Sequence, residues 1–165
     1  MFNPKHQKVE ALLKKFRNNW LLKLFFLSKL PAAWFMGFRL KSISLEKAEV
    51  ILPYNWFSKN PYRSIYFAAQ CAAGEFSTGI IATAIMEGFE EKISILVTHI
   101  EAEFVKKATN LTTFTCTDSA KFIATIEKAA ETGEGQTIRA ESVGTNEAGE
   151  IVSKIWITWS FKVRK

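Results

Sequence analysis

The sequence predicts an α+β domain in which an antiparallel sheet wraps one long central helix, preceded by a helical arm. Three features predict it. Ser64–Met86 holds a single formal charge, Glu75, and no proline, while six alanines favour helix. That stretch is apolar nearly all round, so it needs cover on most sides. After Met86 the apolar spacing changes to period two, over four segments rich in β-branched and aromatic residues.

Residues 5–29 read as one or two helices. Val9, Leu12, Leu13 and Phe16 recur at helical spacing, with Lys8, Lys14, Lys15 and Arg17 on the other faces. Trp20–Phe38 is strongly apolar, yet Lys23, Lys29 and Pro31 cut it short of a bilayer span. No small-residue cleavage pattern marks a signal peptide. Residues 1–30 are read as a basic amphipathic arm and residues 31–165 as the main domain. The plain expectation is that the arm packs its apolar face on the body and leaves its lysines in water. The sharper one is peripheral contact with an anionic membrane surface.

Phe38–Ser44 and Ala48–Pro53 form a strand pair across a short turn at Leu45–Lys47. Asn55–Arg63 is a loop marked by Asn60-Pro61, and Ser64 suits an N-cap. Beyond the helix, strands are expected at Ile93–Phe104, Leu111–Thr117, Gln136–Gly144 and Glu150–Val163. In the last, Ile151, Ser153, Ile155, Ile157, Trp159, Phe161 and Val163 face one way, with Val152 and Trp156 as exceptions. Asn146-Glu147-Ala148-Gly149 joins the last two strands as a hairpin turn. Ser119–Thr132 reads as a short amphipathic helix or a bulged insertion.

At 165 residues one domain is expected. The net charge of +6 is uneven: residues 1–41 hold nine basic groups against Glu10 alone, leaving −2 for the remainder. The basic residues of the arm are not interleaved with a nucleic-acid reading motif, so no nucleic acid is expected. Cys71 and Cys116 read as reduced and buried. With His6 and His99 alone, and no Cys-x-x-Cys or His-x-x-x-His spacing, no metal site is expected. The central stretch is long enough to span a bilayer, but Glu75, Gln70 and the strands that follow oppose that reading. A cytoplasmic protein is expected.

Two strands, a long Ala-rich helix and four antiparallel strands ending in a long hairpin resemble the hotdog fold. More narrowly, the chain resembles the thioesterase-like branch called DUF4442. Gly37-Phe38-Arg39-Leu40, Leu52-Pro53, Asn60, Ser64-Ile65-Tyr66, Ala72-Ala73-Gly74-Glu75 and Gly79 carry the likeness, over roughly residues 30–165. The resemblance implies hydrolysis of acyl-CoA or acyl-carrier-protein thioesters by a homodimer or dimer of dimers, without a cofactor. It assigns the amides of Ser64, Ile65 and Tyr66 as oxyanion donors and Glu75, from the partner's helix, as base or nucleophile. It gives Asn60 the positioning of water or the carbonyl. Phe67, Gln70, Ser77 and Thr78 would line the pocket, and Arg63, Lys106, Lys107 and Arg139 would meet the CoA phosphates. Where other branches carry His-Gly-Gly, this chain reads Arg63-Ser64-Ile65-Tyr66.

Plainer roles stand beside each of these. Glu75 could simply bond a neighbouring strand, and Gln70, Ser77 and Thr78 could satisfy helix carbonyls. His99 reads as a core or interface histidine, and the basic residues as solvated surface. The alternative function is a non-catalytic fatty-acyl or lipid-binding module of the same fold, at a membrane surface.

Overall fold

The structure is a computed structural model that describes residues 1–164. Three helices open the chain: α1 (Gln7–Arg17), α2 (Asn19–Lys29) and α3 (Pro31–Met36). Strands β1 (Arg39–Ile43) and β2 (Ala48–Leu52) lead to the central helix α4 (Phe67–Met86). Then come β3 (Ile93–Phe104), β4 (Thr112–Cys116), α5 (Ser119–Thr132), β5 (Gln136–Asn146) and β6 (Ile151–Val163). The six strands make one antiparallel sheet in the order β1-β2-β4-β5-β6-β3, and α4 packs against β2, β4, β5 and β6.

Small residues on α4 let the sheet come close. A Cβ built on Gly74 would stand 2.7 Å from Ile155 Cβ of β6, so only glycine fits at that crossing. Two buried polar links tie the layers: Ser77 Oγ to Ser142 Oγ of β5 at 2.7 Å, and Trp159 Nε1 donating to Thr78 Oγ1 at 2.9 Å. Ser153, Ile155, Ile157, Trp159 and Phe161 are buried along β6, as their alternation predicts. Ile151 departs from that pattern. A bulge at Val152 turns Val152 inward and leaves Ile151 exposed. Similar bulges occur at Lys41 of β1 and Thr98 of β3. Each adds local twist of the kind a sheet needs to curl around a rod.

The arm breaks into two helices at Asn18, whose Oδ1 accepts from the amides of Trp20 and Leu21 at 3.0 and 3.2 Å and so caps α2. Leu22 and Phe26 of α2 join the main core, with the Phe26 ring 5.1 Å from Phe76 of α4. Pro31 at the first position of α3 and Gly37 (φ +78) just past its end bound a third, short helix. The 119–132 segment is a 14-residue helix, not a bulged insertion, and it buries Phe122, Ile126 and Ala129. Among the described residues no helix is long and apolar enough to cross a membrane.

Candidate functional site at the entry to the central helix

The site grows from the turn that precedes α4. Asn60 Oδ1 accepts from the amides of Tyr62 (2.9 Å) and Ser64 (3.2 Å), and Asn60 Nδ2 donates to Ser64 Oγ at 3.0 Å. Arg63 takes a left-handed φ of 58°, which returns the chain so that Ile65 pairs with Lys59 in a single antiparallel bridge. The amide of Ile65 donates to Ala108 O and that of Tyr66 to Ser58 O, both at 2.7 Å.

This geometry corrects the expected oxyanion donors. The amides of Ser64, Ile65 and Tyr66 are all engaged within the chain, and the helix begins at Phe67, three residues later than the alanine pattern suggests. Ser64 is therefore not the N-cap; Tyr66 holds that place with extended backbone and no side-chain cap. The reason is tertiary: buried, β-branched Ile65 is held extended between two flanking segments, which overrides helix propensity. Among the described residues the amides of Phe67 and Ala68 find no acceptor. They are the free donors of the first turn.

A cavity of about 680 Å³ opens at this end of α4, the size of a small-molecule site. Asn60, Ser64, Ile65, Tyr66 and Phe67 form one wall, and Phe104, Val105, Lys106 and Lys107, at and after the end of β3, form the other. Gln70, only 4% exposed, lines it from the helix. Its Nε2 donates to Ile65 O at 3.2 Å, but its buried Oε1 has no donor among the described residues. An orphaned acceptor of this kind costs on the order of 1–3 kcal/mol. A ligand N–H or O–H placed there relieves that cost.

The rim is basic. Lys59, Lys106 and Lys107 line the cavity, where no carboxylate does, and the helix N-terminus adds positive potential. Lys106 Nζ is held by Glu150 at 2.7 Å, and Lys59 Nζ lies 3.7 Å from the centre of the Trp56 ring. Sequence reasoning missed Lys59, Tyr62 and Phe104. The first two flank Asn60-Pro61 and were legible as its neighbours. Phe104 arrives only because β3 runs twelve residues, and it meets Phe67 edge-on at 6.3 Å.

Other expected site residues stand elsewhere. Ser77 and Thr78 are fully buried in the helix–sheet links described above and do not reach the cavity. Arg139 grips Glu101 (2.8 Å) and stacks over Trp156, and Arg63 does not line the cavity. Glu75 lies eight residues past Phe67, about 12 Å along the axis, and does not line the cavity of its own chain. Its carboxylate has no hydrogen-bond or ionic partner among the described residues, and burial pushes its pKa above the usual glutamate range. Ala68, Cys71, Ala72, Glu75, Gly79 and Thr83 are half-buried, at three- and four-residue spacing. They form a partly open stripe on an otherwise covered helix.

One antiparallel sheet curled around a central helix, with a cavity at the helix's N-terminal end, defines a hotdog-fold domain. The chain belongs to the family described as a domain of unknown function, DUF4442, which matches residues 18–161. No curated protein matches it. Among solved structures, a Chlorobaculum tepidum protein of unknown function superimposes with a TM-score of 0.77 at 15% identity, over 96% of this chain and 99% of its own. A Shewanella oneidensis protein provisionally called a thioesterase gives 0.74 at 10%, over 94% and 99%. A Staphylococcus aureus thioesterase gives 0.59 at 12%, over 79% and 97%. The staphylococcal structures carry substitutions at a glutamine and at a glutamate fifteen positions later. At these identities the likeness is one of fold.

Proposed function

We propose that this chain is an acyl thioester hydrolase acting on acyl-CoA or acyl-carrier-protein substrates as a homodimer or a dimer of dimers. The observation that carries the reading is the cavity at the start of α4, where an orphaned buried acceptor and three lysines converge beside the free amides of the first helical turn. A thioester needs those functions: donors for a carbonyl turning into an oxyanion, and cations for a phosphorylated carrier. The amides of Phe67 and Ala68 take the role first assigned to Ser64, Ile65 and Tyr66. Lys59, Lys106 and Lys107 meet the carrier's phosphates, and Gln70 Oε1 accepts from an amide of the pantetheine arm or from the attacking water.

The base is Glu75 of a second subunit, since about 12 Å separates it from the amides of its own helix. It removes a proton from water as the water oxygen attacks the thioester carbon. The tetrahedral oxyanion then collapses, the C–S bond breaks, and the protonated carboxyl returns its proton to the departing thiolate. A carboxylate with a raised pKa suits both steps. Asn60 retains one amide proton beyond its bond to Ser64, enough to orient water or the carbonyl. Asn60 and Glu75 stand fifteen residues apart, the interval between the substituted glutamine and glutamate of the staphylococcal thioesterase.

The second reading is a non-catalytic acyl-binding module. It is favoured by the distance of Glu75 from the cavity of its own chain and by the Asn60 side chain's part in its own turn. An acyl-CoA panel of graded chain length, assayed with wild type and Glu75→Gln, separates the two. The hydrolase reading expects turnover to fall at least about 100-fold in the variant while acyl-CoA binding persists. Tight binding without turnover in either protein overturns it in favour of the module.

A further inference from the structure

Helix α2 has two apolar faces where a surface helix needs one. Leu22 and Phe26 pack into the core. Trp20, Leu24 and Leu27 recur at i, i+4 and i+7 within about 60° of arc on the roughly opposite side. They are 75%, 50% and 52% exposed, where lysine or glutamate is expected. Leu21 and Leu30 extend the exposed apolar surface to either side. Isolated exposed leucines mean little; a ridge of three headed by a tryptophan marks an interaction surface.

The charge around the ridge is of one sign. Between Glu10 and Glu46 the chain carries seven basic residues and no acidic one. Lys14 and Lys15 stand on the helix before the ridge, Lys23 flanks it, and Lys29 ends the helix on the side of Leu22 and Phe26. All four are exposed, with no ionic partner among the described residues. A second copy docking here about a two-fold axis would bring the same lysines face to face. An anionic lipid surface instead offers apolar depth for the ridge, an interfacial layer that favours tryptophan, and negative headgroups for the lysines.

We propose that the outer face of α2 docks on an anionic bilayer, with Trp20, Leu24 and Leu27 in the headgroup–acyl boundary and Lys23 on anionic headgroups. The helix lies flat: its 11 residues measure about 16 Å and its inner face is fixed to the body. This docking is independent of the thioester chemistry and stands or falls separately.

Vesicle flotation tests it, comparing phosphatidylcholine vesicles with vesicles containing about one-third phosphatidylserine, the leaflet lipid class that carries the charge. Wild type should float with the anionic vesicles and stay behind with the neutral ones. Leu24→Gln/Leu27→Gln should lose at least about tenfold in partitioning, and Lys23→Gln roughly fivefold. All three sites are exposed, and circular dichroism checks that the variants are folded. Quenching of Trp20 by brominated lipid, lost in Trp20→Phe, places the ridge at the boundary. Equal flotation of wild type and the leucine variant overturns the proposal, as does no flotation of wild type. A leucine variant that loses self-association while wild type never floats assigns the ridge to a contact between copies instead.

Discussion

Glu75 is a carboxylate that folding places in a half-dry position without a counter-charge. Burial raises its pKa, so the folded state binds its proton more tightly than the unfolded chain does. The sign follows. The contribution is most favourable below the ordinary glutamate pKa and is lost as pH rises through the raised folded value. Glu75→Gln removes that penalty. Its melting temperature should exceed that of wild type by more at about pH 8 than at about pH 4, where both side chains are neutral. A gap that is constant with pH, measured by thermal denaturation across that range, would mean the carboxylate meets a cation in solution. Activity should move the opposite way, since the group that destabilises the fold is the one assigned to the chemistry.

Among the elements, α4 and the sheet that clasps it were the most legible. The all-round apolar character of the Ala-rich stretch announced a buried rod, and period-two alternation announced the strands. The bulges at Lys41, Thr98 and Val152 were not legible, because one extra residue is set by the curvature of the whole sheet rather than by local preference. The start of α4 departs from its sequence pattern for a related reason: pairing of Ile65 with Lys59 depends on a turn whose partners lie outside the helix. The contact between Gly74 and Ile155 gives a test at this scale. Gly74→Ala gains roughly 1 kcal/mol of helix propensity but drives a Cβ to 2.7 Å from a branched neighbour fixed in β6. Overpacking should win, at a net loss of about 1–3 kcal/mol in denaturant unfolding. Gly135→Ala, where nothing lies within 4 Å, should stay within about 0.5 kcal/mol of wild type.

At the scale of the molecule, the sheet ends on a strand that a lone chain leaves uncovered. β3 bonds to β6 on one side only, and from Val97 to Phe104 it is exposed on both faces. Leu96, Val97, Ile100 and Phe104 are exposed along it beside Glu101 and Glu103, and it holds neither the proline nor the lysine that commonly guards a solitary edge. In the homodimer proposed above, a second β3 related by two-fold symmetry would supply the missing neighbour. Phe104, at the end of that edge, also lines the cavity, so two copies joined there would set a partner beside each cavity. Leu96→Lys/Ile100→Lys should therefore sediment at the 18.7 kDa of one chain, with an unchanged far-ultraviolet spectrum. Wild type should sediment at twice that mass or a multiple of it. Acyl-CoA turnover should fall with the loss of the dimer, because each cavity would lose the carboxylate that its neighbour provides. A wild type that is monomeric and fully active would refute the two-subunit site and return the search for a base to residues of the same chain.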